Sequence, residues 1–298
     1  MATTTCYRHP DRETGVACSR CGRPICPDCM TPTSVGMRCP ECAGDSTTVR
    51  TPTFAASASS VARATMVLIG INVAVYLFEV LTGNGGLGVE GSTFFADGAL
   101  CGNAVGEGGV CGALDLNLAI QTDGGEWWRV LSGGFLHGTL IHLALNMFAL
   151  FILGQVLEPA IGTARFVAVY FVALIAGSVG ALLMSDPTQF TVGASGAVYG
   201  LFLATIIVAR QRGMDQVVMQ LGFWLLLNLV FTFSVPNISI GGHLGGLVGG
   251  ALGALLVVGA ERRMARRETL GAELAGLAAL GVACFVAAIA VASAGLEI

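Results

Sequence analysis

From about residue 64 onward, apolar residues run in long blocks rather than alternating with polar ones. Seven blocks, near 64–82, 134–157, 164–184, 194–209, 215–233, 240–259 and 270–293, reach or approach the roughly 20 residues that cross a bilayer as a helix. The fourth and fifth are short. Hydrocarbon offers the backbone no hydrogen-bond partner, so each block is predicted to be α-helix, and the expected fold is an all-α polytopic membrane protein. Composition agrees: 54% of the chain is hydrophobic and 11% charged, against about 25% charged in an average soluble domain. The net charge of −4, with arginine as the only basic residue besides histidine, says nothing about nucleic acid, and no such partner is expected; the bilayer is the expected surroundings.

Arginines at the ends of the blocks predict orientation. Arg50, Arg63, Arg165, Arg210, Arg212, Arg262, Arg263, Arg266 and Arg267 fall on one side and only Arg129 on the other, so the positive-inside rule places the N-terminus in the cytoplasm and Ser293–Ile298 outside a cell membrane. The outer stretch from about Gly83 to Gly125 reads as a long, glycine-rich loop holding Cys101 and Cys111. These two either pair in an oxidising exterior or stay as thiols. Trp127-Trp128-Arg129 suits an interfacial aromatic anchor beside an arginine that reaches headgroups or a loop carbonyl.

The polar N-terminal region has its own pattern: Cys6-x2-His9, Cys18-x2-Cys21, Cys26-x2-Cys29 and Cys39-x2-Cys42. Four closely spaced pairs give the eight ligands that two tetrahedral Zn²⁺ ions require. A disulfide knot is the competing reading, but no export signal precedes the pairs, so a reducing cytosol is expected and zinc is preferred. Spacing leaves the pairing open; a cross-braced order, first pair with third and second with fourth, resembles B-box and RING-like modules. The expected organisation is a cytoplasmic zinc-binding module over 1–45, a flexible Thr/Ser/Ala-rich linker over 46–62, and a membrane domain over 63–298. The module would serve a cytoplasmic protein partner and take no direct part in outward-facing chemistry.

Chemistry inside the membrane domain centres on Gly193-Ala194-Ser195-Gly196. A lone serine in a membrane helix commonly bonds a backbone carbonyl or lets helices approach, yet small neighbours also free its oxygen to act as a nucleophile. The second block carries His137, His142 and Asn146; the last two share a helix face. Polar groups at membrane depth are costly unless they work or pair, so His142 and Asn146 are either functional or an interhelical contact, and His137 is read as structural. His243 stands in Gly241-Gly242-His243-Leu244-Gly245-Gly246, on a face able to pack backbone to backbone. Ser195 and His243 are predicted at similar depth near the outer ends of their helices, where a histidine could take the serine proton.

With Trp128-Arg129, His142-x3-Asn146, Glu158-x3-Gly162-x3-Phe166, Gly193-x-Ser195-Gly196 with Tyr199, and His243 among glycines, the chain from about Arg63 resembles a rhomboid intramembrane serine protease. The resemblance implies a six-helix core, here with a seventh C-terminal helix. It implies Ser195 as nucleophile, His243 as general base with no carboxylate partner, and Tyr199 packed on the His243 ring. His142, Asn146 and the Ser195 N–H would form the oxyanion site. The implied substrates are transmembrane segments of other membrane proteins, cut near the outer face without a catalytic metal. A non-catalytic scaffold for client helices, or a transporter lined by the same polar residues, are the alternatives.

Overall fold

The computed structural model describes residues 4–33, 36–44, 62–83, 92–113, 118–236, 238–263 and 269–295. All but Ala62 of the expected linker lies outside the described residues, as do Arg50, Arg266 and Arg267. The chain divides into two compact units, Met1–Ala58 and Ser59–Ile298.

The first unit is small and loop-rich. Strands β1 (Thr4–Thr5) and β2 (Glu13–Thr14) pair antiparallel, as do β3 (Thr31–Thr33) and β4 (Gly36–Arg38), and a short helix α1 (Pro40–Gly44) follows. Its core consists almost entirely of cysteines with Ile25. Glu41 on α1 accepts from the Tyr7 hydroxyl and pairs with Arg8, contacts that hold its carboxyl down at about 2.

The second unit is helical. In order come α2 (Arg63–Thr82), α3 (Thr93–Gly98), α4 (Gly102–Val105), a hairpin of β5 (Gly109–Ala113) and β6 (Leu118–Thr122), and α5 (Arg129–Ser132). The long helices α6 (Leu140–Ile161), α7 (Thr163–Met184), α8 (Ser195–Gln211), α9 (Asp215–Ser234), α10 (Ile240–Arg263) and α11 (Thr269–Ala294) follow. Six of these, all long helices except α8, are long and apolar enough to span a membrane among the described residues. The protein is therefore a multi-pass, predominantly α-helical membrane protein. Of the seven expected spans only the fourth falls short: α8 has 17 residues, while α9, expected to be short, has 20.

Two expectations change. The outer stretch is not one long loop, because α3, α4 and the β5–β6 hairpin order much of it. The second span also begins later than 134: Gly133–Phe135 forms a 3₁₀ turn, and the Thr139 hydroxyl caps α6 by accepting from the His142 N–H at 3.2 Å. His137 consequently lies ahead of the helix.

Helix α7 sits at the centre, packed by α8, α10 and α11. Glycine makes the closest crossings possible: a Cβ on Gly180 would stand 2.1 Å from the Gly241 carbonyl oxygen, and one on Gly246 2.0 Å from that of Gly196. Backbones touch here as small residues allow in membrane helix pairs. At the opposite end Glu158 of α6 accepts from the Ala64 N–H at 3.0 Å, the Thr65 N–H at 2.9 Å and the Thr65 hydroxyl at 2.8 Å, which satisfies orphan donors of the first turn of α2. Arg165 pairs with buried Glu273 and so fastens α11 to α7.

Candidate active site

Ser195 is the first residue of α8. Gly193 precedes it with φ of 120°, a backbone conformation that strongly favours glycine, and this turn ends the extended approach and starts the helix. The Ser195 N–H therefore has no acceptor within α8. A Cβ on Gly193 would also stand 2.7 Å from His142 Nε2 and 3.7 Å from Ser195 Oγ, so the imidazole and the hydroxyl converge over a spot only glycine leaves open.

His243 comes from the first turn of α10. Its Nε2 lies 2.9 Å from Ser195 Oγ, and its ring stacks on Tyr199, with centroids 4.0 Å apart and planes 11° apart. Tyr199 is one turn along α8 from Ser195, so a single helix face presents both the hydroxyl and the platform for its partner. The other ring nitrogen, Nδ1, lies 2.8 Å from the Thr232 hydroxyl of α9. The sequence pattern does not mark Thr232 for the site. A threonine in an apolar helix, eleven positions ahead of the histidine and across a turn, carries no pattern that marks it.

His142 and Asn146 face the same cavity, about 380 Å³ in volume, as Ser195, Tyr199 and His243. The Asn146 amide donates to the His142 carbonyl at 3.0 Å within α6. His137 is fully buried with no hydrogen-bond partner for Nε2, and its ring packs edge-on against His142 at 5.0 Å.

The segment leading to Ser195 is held from outside. Thr191 exchanges backbone hydrogen bonds with Leu100 at 2.8 and 3.1 Å, and Gly112 bonds Thr188 at 2.7 Å and Phe190 at 2.9 Å. A Cys101–Cys111 disulfide joins the two flanks of this clasp, so the open alternative resolves to pairing. Arg129, 1% exposed, donates to the carbonyls of Ala96 and Ala99 and pairs with Glu126; it serves the carbonyl end of α3 rather than headgroups. Trp127 and Trp128 are exposed.

In the first unit, the ligand atoms of Cys6, His9, Cys26 and Cys29 gather within 4.8 Å of one another, as do those of Cys18, Cys21, Cys39 and Cys42. The first pair meets the third and the second the fourth, the cross-braced order. His9 Nδ1 lies 3.4 Å from Cys26 Sγ and 3.5 Å from Cys29 Sγ, and Cys21 and Cys39 sulfurs are 3.8 Å apart. The edge of a tetrahedron with metal–sulfur bonds of about 2.3 Å is about 3.8 Å, and a nitrogen at about 2.0 Å shortens it slightly. The residues fit two tetrahedral metal ions.

A rhomboid domain model matches residues 124–260, a span that holds Arg129, His142, Asn146, Ser195, Tyr199 and His243. The chain is similar to the rhomboid protease GluP of Bacillus subtilis (strain 168), 37% identical over 146 residues that cover 48% of this chain and 28% of that protein. It is also similar to the "Putative rhomboid protease YdcA" of the same organism, 32% identical over 154 residues, 49% of this chain and 74% of the relative. RHOMBOID-like protein 5 of Arabidopsis thaliana is 34% identical over 145 residues, 47% of this chain and 46% of the relative. Fold and site define a polytopic membrane protein with a serine and a histidine joined across two helices. The chain belongs to the rhomboid family, a family of intramembrane proteases. The match begins at residue 124 rather than near Arg63, and the cysteine-rich unit lies outside it.

Proposed function

We propose that the protein is an intramembrane serine endopeptidase that cuts transmembrane segments of other membrane proteins near the outer membrane face. The observation that carries this reading is the 2.9 Å contact between Ser195 Oγ and His243 Nε2. At that distance His243 takes the hydroxyl proton as Ser195 attacks a substrate carbonyl, then passes it to the leaving amine. The acyl ester on Ser195 is released by water that His243 deprotonates in turn. Negative charge on the tetrahedral oxygen falls within reach of the Ser195 N–H and His142, with Asn146 in support. Tyr199 holds the base by ring contact.

In the N-terminal unit we assign zinc to both four-ligand clusters. Bound there, the ions would be structural: seven thiolates and one imidazole leave no open position for a substrate. The arginine distribution supports a cytoplasmic N-terminus in a cell membrane, with a cytoplasmic protein as the module's partner.

The test is a fluorophosphonate probe with cleavage of a helical model substrate in liposomes. Wild type should be labelled and should cleave; Ser195→Ala should do neither. Cleavage retained in Ser195→Ala would refute the assignment, and substrate capture without labelling or cleavage by wild type would favour the scaffold.

A further inference from the structure

The residues lining the cavity include no carboxylate and no arginine among those described; His142 and Tyr199 are the other titratable groups beside His243. His243 thus lacks the acidic partner that fixes tautomer and orientation in a soluble catalytic triad. Yet its Nδ1 is not free.

Thr232 is one of only three buried residues on α9, with Val217 and Leu221, and is 1% exposed. Its hydroxyl sits 2.8 Å from His243 Nδ1, 2.6 Å from the Tyr199 hydroxyl and 2.9 Å from the Asn228 carbonyl. A hydroxyl has one proton to donate and two lone pairs to accept with. The Asn228 carbonyl, one turn back on α9, can only accept, and it lies within reach of both hydroxyls, 2.9 Å from that of Thr232 and 2.8 Å from that of Tyr199. With the Thr232 proton on Asn228, a lone pair of Thr232 faces Nδ1 and takes a proton from Nδ1–H; with only the Tyr199 proton there, Thr232 would donate to Nδ1 and the ring proton would sit on Nε2. A threonine bonding its own helix is ordinary in membrane helices, and that preference favours the first arrangement.

We propose that Thr232 is a positioning residue for His243: donating to its own helix at Asn228 and accepting from Nδ1–H, it selects the tautomer protonated on Nδ1, which leaves Nε2 bare to receive the Ser195 proton. The proposal rests on the protease reading for its kinetic consequence, while the hydrogen bond can be tested apart from it. During turnover no proton moves to Thr232. His243 gains one on Nε2 and loses it to the leaving group, and Nδ1–H donates to Thr232 throughout. The imidazolium is bound more strongly than the neutral ring, since hydrogen bonds to charged groups are the stronger kind.

The experiment compares Thr232→Val, which keeps shape and removes the hydroxyl, with Thr232→Ser, which keeps the hydroxyl, both against wild type and Ser195→Ala. Thr232→Val should lower kcat about 10- to 100-fold, the range for a lost hydrogen bond to a charged group, with KM nearly unchanged. The acid limb of its pH–rate profile should move to lower pH, because the protonated ring has lost an acceptor; Thr232→Ser should stay within about threefold of wild type. In protein labelled with ¹⁵N-histidine, with four histidines in the chain and His243→Ala to assign the signal, His243 should be protonated on Nδ1 in wild type and Thr232→Ser and mixed in Thr232→Val. Wild-type kinetics in Thr232→Val, an equal loss in both variants, or an unchanged tautomer in Thr232→Val would each overturn the proposal. Cleavage by Ser195→Ala would instead overturn the protease reading, with the tautomer still reporting on Thr232.

Discussion

Gly246 of α10 meets the carbonyl of Gly196 of α8 so closely that a Cβ on Gly246 would stand 2.0 Å from that oxygen. This crossing lies one residue beyond Ser195 on one helix and three beyond His243 on the other, so the distance between hydroxyl and imidazole depends on it. Gly246→Ala should push the helices apart, destabilise the fold by about 1–3 kcal/mol and reduce cleavage far more than stability alone explains. Thermal unfolding in detergent beside cleavage rates checks it; unimpaired cleavage would show that the pair tolerates separation.

Within the proposed dyad, Ser195→Ala and His243→Ala should each abolish cleavage, and the double variant should be no worse than either, because members of one catalytic unit are strongly non-additive. Expression and thermal unfolding should stay close to wild type for Ser195→Ala. Losses that multiply in the double variant would mean the two residues act independently.

Of the proposed oxyanion residues, His142 lies over Gly193 whereas the Asn146 amide bonds its own helix. His142→Ala should cost about 10²–10³ in kcat, the usual loss for one oxyanion donor, and Asn146→Ala should be milder. The reverse order in measured kcat would make Asn146 the direct donor.

The Cys101–Cys111 crosslink closes a separation of ten residues, worth about 2–3 kcal/mol in the chain-entropy picture. Cys101→Ser with Cys111→Ser, or reduction of wild type, should lower the melting temperature and speed amide exchange at Gly112 and Thr191, whose bonds clasp the approach to Ser195. Unchanged exchange at those amides after reduction would separate the disulfide from the clasp.

For the cysteine-rich unit, mass spectrometry or metal analysis should find two zinc ions per chain, and chelation should unfold segment 1–45, since so short a chain buries too little core without metal. Removing residues 1–45 should leave cleavage of a generic substrate largely unchanged. Equal losses of cleavage on truncation and on chelation would instead make the module a clamp on the protease.

Much is readable in the amino-acid sequence for a physical reason: span length, ligand spacing and helical periodicity are local properties. The Cys-x2-Cys pairs announce metal ligands, the blocks of apolar residues announce membrane helices, and His142 and Asn146 share a face because helical geometry puts residues four apart together. Tertiary structure alone decided which cysteine pairs meet, that Cys101 joins Cys111, that Thr139 caps α6 and leaves His137 outside it, and that Ser195 begins a short helix. It also decided that Thr232 meets His243 Nδ1. Most of these relationships join positions far apart in the chain, and the meeting of Ser195 with His243 depends on how closely the glycine-lined α8 and α10 pack, a distance that no spacing along the chain records.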